Sequence, residues 1–457
     1  MKKNTKGSEN ENIEKWYDKF SKKPKQTKAK KTGPKEFIKQ KKSEPAFVRP
    51  KNAQGVLKTR KAAPSVFVQK KNSMFSLDRV PDDSRKIIEN FLDIIQQVKP
   101  LNSRQLAKVP LEIRELSHEL TDERSERKKG YMNETIRLSS YVRYYMWWNL
   151  VRLTRLFANL DEKAFTLSDN AVCLDIGSGP LTVVTALWLA RPELRKKNLT
   201  WYCLDLSQSA LSFGEEIYLS IAAKTLKDSE TVPWKIVRVK GENGTFIKQK
   251  AEFITCANMF NELLQKTDMP PDFSAKKYCE NLLGYAADKK SIFVVEPGVP
   301  ASARLLSLMR DSFMRKGMIP VSPCPHTEIC PMEGKRGGKW CNFAFFTDDA
   351  PAKLLKLSAS ADLPKERAVL SYLFVTDKEN EKNVKAENTE LRVTSDVIKL
   401  PGNKEGFYAC SEKGLVLLVN QDDKKILSGD KIEISAQALN KSSEIDAKSG
   451  AVKIYIK

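Results

Sequence analysis

AVCLDIGSGPLTVVTALWLARPEL, residues 171–194, carries the reading of the fold. AVCLDI is a short, nearly continuous apolar run and is expected to form a strand buried on both faces. PLTVVTALWLARPEL is expected to be a helix. Between them Gly177 and Gly179 let the backbone come close to a ligand, and the helix start beyond them favours negative groups. Strand, glycine turn and helix in this order open a nucleotide-binding α/β unit.

The alternation continues downstream. NLTWYCLDLS, WKIVRVK, AEFITCANMF and SIFVVEPG read as strands, with SALSFGEEIYLSIAAKTL, KYCENLLGYAA and ASARLLSLMRDSFMRKG as helices among and after them. This spacing predicts a doubly wound, largely parallel, Rossmann-like sheet. Cys173, Cys203 and Cys256 fall in its strands, where they serve as small buried hydrophobes. Asp205 ends the second strand, where a carboxylate accepts hydrogen bonds from both hydroxyls of a ribose. A dinucleotide fingerprint needs a glycine at position 182, and Thr182 stands there. Asp175, just before the turn, would repel a pyrophosphate but suits the cationic methionine end of S-adenosylmethionine. The expected cofactor-binding residues are therefore Asp175, Gly177, Gly179 and Asp205. Beyond the fourth strand, Asn258 and Asn261 either position a target base or cap the helix that begins there.

Upstream, residues 83–120 and 134–160 read as helices. The second stretch concentrates Tyr141, Tyr144, Tyr145, Trp147 and Trp148, which either stack nucleobases or pack between domains. Charge is uneven along the chain. Residues 1–72 hold 22 Lys+Arg and 6 Asp+Glu, so they carry most of the formal net charge of +22. A basic arm on a nearly neutral body points to nucleic acid as the partner. Two aromatic-bearing segments, PAFVRP from Pro45 and PSVFVQ from Pro64, interrupt the lysines as small docking elements. No run of eighteen apolar residues exists, so no membrane span is expected. The arm has no arginine before Arg49 and has early acids at Glu9, Glu11, Glu14 and Asp18, a poor mitochondrial presequence. The expected location is cytoplasmic, with the mitochondrial matrix as the alternative.

The C-terminal third, from RAVLSYLFVTD to AVKIYIK, reads as a small β-rich domain. Before it, PCPHTEICPMEGKRGGKWCNF, residues 323–343, brings Cys324, Cys330 and Cys341 together. Three thiols need a fourth ligand. His326 is only two positions from Cys324, and Cys279 lies in a predicted helix. Cys410 is expected in a turn between two strands, so the set is Cys324, Cys330, Cys341 and Cys410. All-cysteine ligation suits either zinc or an iron–sulfur cluster. The flexible basic KRGGK of this segment either reaches RNA or is simply solvated. With only His118 and His326 in the chain, histidine acid–base chemistry is close to excluded.

C-P-H-x-x-x-C-P, then W-C-x-F, then a distant cysteine resembles the mitochondrial small-ribosomal-subunit methyltransferase-like assembly factors and their bacterial relatives. LSSYVRYYMWWNLVRL, the DIGSGP turn, VEPG at Val295–Gly298 and LSYLFV at Leu370–Val375 extend the resemblance over residues 115 to 420. The resemblance implies a 4Fe–4S cluster on Cys324, Cys330, Cys341 and Cys410, with zinc as the alternative. It also implies S-adenosylmethionine at the glycine turn and a role on small-subunit ribosomal RNA. That role is either rRNA methylation or non-catalytic assembly of the small ribosomal subunit. The family reads G-x-G-P-G at the turn. Here Leu181 takes the last position, a side chain expected to narrow the pocket. The expected layout is a disordered basic arm over 1–75, a helical region over 76–165 and a methyltransferase domain over 166–320. A cysteine-rich insertion over 321–350 and a β-rich domain over 351–457 that completes the metal site follow.

Overall fold

A computed structural model describes residues 65–121, 132, 134–226, 231–264, 269–335, 338–377, 387–421, 425–442 and 444–457. The basic arm up to residue 64, including the PAFVRP segment, lies outside the described residues. A short strand, β1 (Gln69–Asn72), leads into helices α1 (Asp82–Glu89), α2 (Phe91–Val98) and α3 (Ser103–Thr121). Ile87, Ile88, Phe91, Ile94 and Ile95 form their buried face. The aromatic stretch folds as α4 (Thr135–Tyr141), a π-helical turn (Val142–Met146) and α5 (Trp147–Asn159). Trp147 and Trp148 are buried, and their indoles donate to Ile88 O and Ser358 Oγ. These two are core; of the five aromatics, Tyr141, Tyr144, Tyr145 and Trp148 also reach a cavity described below.

The opening stretch forms β2 (Val172–Ile176) and α6 (Thr182–Ala190) as expected, followed by the single-turn helix α7 (Pro192–Arg195). Every residue of α6 is buried, packed against α5 and the helix over Gln208–Thr225 in one core with Cys173, Trp201 and Phe253 of the sheet. The next elements are β3 (Thr200–Asp205), α8 (Gln208–Thr225), β4 (Lys235–Lys240) and β5 (Ala251–Ala257). After them come α9 (Phe260–Leu264), α10 (Pro271–Tyr285), β6 (Ala286–Pro297) and α11 (Pro300–Arg315). Strands β2 to β6 pair in parallel, and Cys173, Cys203 and Cys256 are buried within them.

Three further strands complete this sheet: β7 (Ile319–Ser322), β8 (Phe343–Phe346) and, after α12 (Ala352–Ser360), β9 (Arg367–Thr376). The order is β4-β3-β2-β5-β6-β9-β7, with β8 on β9, and β9 runs antiparallel to all its partners. The sequence reading placed 351–457 in one β-rich domain. The structure instead seats β9 against β6, where Leu370, Phe374 and Val375 join the buried core. An apolar strand does not announce which sheet it joins.

The second sheet holds β1, β10 (Asn388–Val393), β11 (Ile398–Leu400), β12 (Lys404–Ser411), β13 (Gly414–Asn420), β14 (Lys431–Ser435) and, after the short helix α13 (Ala436–Lys441), β15 (Val452–Ile456). Its order is β1-β14-β10-β12-β13-β15, with β11 on β12. Val66 bridges Ile456 in parallel, so the sheet closes on itself as a small barrel around Val68, Leu391, Phe407, Leu418 and Ile434. Residues 66–72 therefore belong to this barrel and Met74 and Phe75 to the main core, not to a disordered arm ending at 75, and Val66 of the PSVFVQ segment makes the first pairing. Among the described residues no helix is long and apolar enough to cross a membrane.

Candidate functional site

Connections leave β2 toward β3 on one side and β5 toward β6 on the other. A crevice opens at such a switch point, at the carboxyl ends of the strands. The cavity there has a volume of about 910 Å³. Its floor is the turn Gly177–Pro180, with Asp205 at the end of β3 and Asn258, Met259, Asn261 and Glu262 after β5. Gly177 and Gly179 have φ of +71° and +50°, the left-handed region open to glycine. The turn is pinned by Gly177 N and Ser178 N, which donate to Leu204 O at 2.8 and 3.1 Å. Asp205 Oδ2 accepts from Gly179 N at 2.9 Å and Oδ1 from Ser207 N at 2.8 Å. Each oxygen keeps a lone pair for a further donor. Burial raises the pKa of this carboxyl.

Gly177, Gly179, Asp205, Asn258 and Asn261 line the cavity as expected of a site, but Asp175 does not. Its side chain is fully buried and accepts from Thr255 Oγ1 at 2.6 Å. Burial pushes its pKa up to about 7. Alternation along β2 puts Asp175 on the same buried face as Cys173, beneath the turn and away from the cavity lining. Leu181 also departs from expectation. Its φ is +56°, yet its side chain packs wholly into the core and does not line the cavity, so it narrows nothing.

The helix-capping alternative for Asn258 and Asn261 is taken by another residue. Glu296, fully buried near the end of β6, accepts from Phe260 N at 2.8 Å and Asn261 N at 3.1 Å. Its carboxyl rises to about 8 through burial. Asn258 itself holds a left-handed backbone, φ +56°, and donates its N–H to Val295 O. The sequence reading missed Glu296, and also missed Arg152 and Lys365 on the opposite wall.

The cysteine segment lies beside the barrel. Cys324 follows β7, Cys341 precedes β8, and Cys410 stands within β12, not in the turn that follows it. Burial raises Cys341, and so do the neighbouring Cys324, Cys330 and Cys410 thiols, so the structure brings all four together. Burial raises Cys324 to about 11 against the pull of Arg310. Arg310 donates to His326 O and Glu328 O at 3.1 and 2.7 Å, and Arg392 to Pro323 O at 3.0 Å. His326 Nε2 lies 2.9 Å from Cys410 Sγ, which makes it a neighbour of the thiols. Among the described residues no three His, Cys, Asp or Glu side chains are arranged to hold a metal ion. The quartet is gathered without the close convergence that a single zinc with ~2.3 Å Zn–S bonds requires.

Among solved structures, a S-adenosylmethionine-dependent methyltransferase from Thiobacillus denitrificans in complex with S-adenosyl-L-homocysteine is 13% identical, with 50% of this chain and 90% of that chain covered and a TM-score of 0.28. The plantazolicin methyltransferase BpumL in complex with S-adenosylhomocysteine and a desmethyl analogue is 13% identical, with 63% and 100% covered and a TM-score of 0.28. No curated protein matches the chain. The family described as mitochondrial small ribosomal subunit Rsm22 matches residues 151–407, from within α5 to within β12 and across both the glycine turn and three of the four gathered thiols. That is more than half of the 457 residues, and the chain belongs to the mitochondrial small ribosomal subunit Rsm22 family.

Proposed function

We propose that this chain binds S-adenosylmethionine in the crevice and acts as a methyltransferase-like protein on the RNA of the small ribosomal subunit. The observation that carries this is the cavity itself: a glycine turn pinned to Asp205, open at the strand ends of a sheet switch point. Asp205 accepts from the ribose hydroxyls, and the 177–179 backbone lies along the methionine part. The cofactor supplies an electrophilic methyl group. That methyl would pass to an acceptor nitrogen with a free lone pair. Asn258 and Asn261, on the cavity wall, hold the acceptor base through their amides. The family's description favours the mitochondrial compartment over the cytoplasmic one. The arm's charge suits RNA contact there.

We infer that the four thiols, with Arg310 and Arg392 alongside, are the residues that would hold a 4Fe–4S cluster. A cubane spreads its thiolates over four irons and carries net negative charge, which the two guanidiniums offset. Cys324, Cys330, Cys341 and Cys410 would hold it, tying the barrel strand β12 to the loop after β7.

Two measurements test this reading. Titration calorimetry with S-adenosylhomocysteine is expected to give at least tenfold weaker binding for Asp205→Asn, about 1.4 kcal/mol, because one carboxylate acceptor becomes an amide donor. Equal affinity would remove Asp205 from the cofactor site. Anaerobically purified protein is expected to be brown with about four irons and four sulfides, and Cys324→Ser and Cys410→Ser each to lose them. One equivalent of zinc, or no metal, would overturn the cluster assignment. Transfer of labelled methyl from S-adenosylmethionine to small-subunit RNA separates an enzyme from a non-catalytic assembly factor.

A further inference from the structure

The cavity is longer than one cofactor's half of the crevice. Asp205 ends β3, whereas Arg152 Nη1 donates to Val369 O of β9 at 2.9 Å. Four strand intervals separate β3 from β9, about 19 Å at the usual ~4.8 Å spacing. The far wall differs in chemistry from the glycine-turn end. It is built by the end of α4, the π-helical turn, α5 and the loop leading into β9, and it presents Tyr141, Tyr145, Trp148, Arg152 and Lys365. A π-turn inserted in a helix re-aims its side chains and is frequent at functional sites.

Arg152 and Lys365 are partly buried cations on one wall, and among the described residues neither has a carboxylate partner. Arg152 bonds only neutral oxygens, those of Val369 and Asn149. Lys365 Nζ sits 5.1 Å from the Trp148 ring centroid. Asp205, Glu242 and Glu262 line the same cavity, but none is paired with either cation; two unpaired cations on one partly buried wall are costly, and an anionic ligand bound between them relieves that cost. Beside them Tyr141 and Tyr145 stack, with ring centroids 5.3 Å apart and planes at 26°. Both rings are only partly buried and face the same cavity. An aromatic platform next to paired cations is how a base and its phosphate are held together in single-stranded nucleic acid.

We propose that the β9-side half of the cavity is the acceptor site and takes one nucleotide of a single-stranded RNA segment, its phosphate between Arg152 and Lys365 and its base against Tyr141 and Tyr145. This rests on the reading that the β3-side half holds the cofactor. Burial and the neighbouring Arg152 push Lys365 down to about 7, the strain that a bound phosphate would release.

The test uses the full chain, cytidine 5′-monophosphate and cytidine as probes, and S-adenosylhomocysteine in parallel, by calorimetry at pH 6.5 in physiological salt. Cytidine is chosen to avoid any adenosine pocket. The wild type is expected to bind the nucleotide at least tenfold more tightly than the nucleoside. Lys365→Met, which keeps the stem over Trp148, is expected to lose that advantage and to leave nucleoside and S-adenosylhomocysteine affinities unchanged. Lys365→Arg is expected to restore it. Equal binding of nucleotide and nucleoside to the wild type overturns the proposal, as does an unchanged nucleotide affinity in Lys365→Met. Binding of N-acetylglutamate as tight as that of the nucleotide also overturns it, in favour of an acidic protein segment. If S-adenosylhomocysteine fails to bind while the phosphate effect is seen, the cofactor reading fails and the anion site stands.

Discussion

Gly214→Ala is expected to unfold the glycine turn and abolish cofactor binding. Inside a helix this exchange ordinarily stabilises by up to ~1 kcal/mol. Gly214 is an exception because α8 crosses the turn at this residue. A Cβ there would stand 2.5 Å from Pro180 O and 2.7 Å from Pro180 Cα, both backbone atoms that no rotamer change moves. Relief requires shifting α8 away from the turn or breaking the bonds from Gly177 and Ser178 to Leu204. Either costs roughly 3 kcal/mol or more, so the clash outweighs the propensity gain. Denaturant unfolding followed by tryptophan fluorescence measures the loss, and calorimetry with S-adenosylhomocysteine measures the site. Gly284→Ala is the control, since a Cβ there meets nothing within 4 Å and the variant is expected to be at least as stable as the wild type. Wild-type stability in Gly214→Ala would mean that α8 does not press on the turn.

The second large effect is an inverted pH dependence of stability. Asp175 and Glu296 are fully buried, with carboxyls raised to about 7 and about 8. In the unfolded chain both release their protons near pH 4. Between those values the native state holds more protons than the unfolded state, so raising pH favours unfolding. His326 works the other way. Burial, with Arg310 beside it, lowers its pKa to about 4, so stability rises as pH climbs from there toward the free imidazole value. Lys365, lowered to about 7, adds stability only above that pH. Two groups against one leave a net fall between about pH 5 and 7, with a slope of at most ~1.4 kcal/mol per pH unit for each uncompensated proton. Above pH 7, Glu296 and Lys365 oppose each other and the curve flattens. Denaturation midpoints at pH 5.5, 6.5 and 7.5 are expected to decline, and Asp175→Asn, which still accepts from Thr255, to remove much of the decline. A midpoint that rises across this interval would show that these carboxyls are ionised in the native protein.

The strands β2 to β6 are legible in the sequence because each is a short apolar or alternating run, and all but β4 are followed by a stretch of helical period. Gly177, Gly179 and Asp205 are legible for a related reason: a turn after the first strand and an acid after the second have fixed places in a parallel sheet. Asp175 is expected at the cavity from its closeness to the turn along the chain, but the structure places it behind the lining. The alternation Cys173, Asp175 on one face and Leu174, Ile176 on the other was the signal that places it in the core. Glu296 stands in the VEPG stretch, yet an acid at a strand end reads as solvent-facing until a helix start is found above it. Arg152 and Lys365 lie more than 200 residues apart, and only the antiparallel insertion of β9 brings them to one wall. The four thiols fall between these extremes. Three are close in sequence, and the fourth is found by elimination, though its strand β12 was taken for a turn.

The barrel imposes an order of events on biosynthesis. Its first strand, β1, pairs with β14 at residues 431–435, and Val66 waits for Ile456. More than 350 residues must leave the ribosome before the first of these contacts can form, and loop closure over that span is slow. The eight-stranded sheet has all its strands by Thr376 and can fold well before then. Cys410 belongs to the late module and Cys324, Cys330 and Cys341 to the early one. A nascent chain therefore exposes three thiols before their fourth, and a group held by all four would be received only after β12 has joined its barrel.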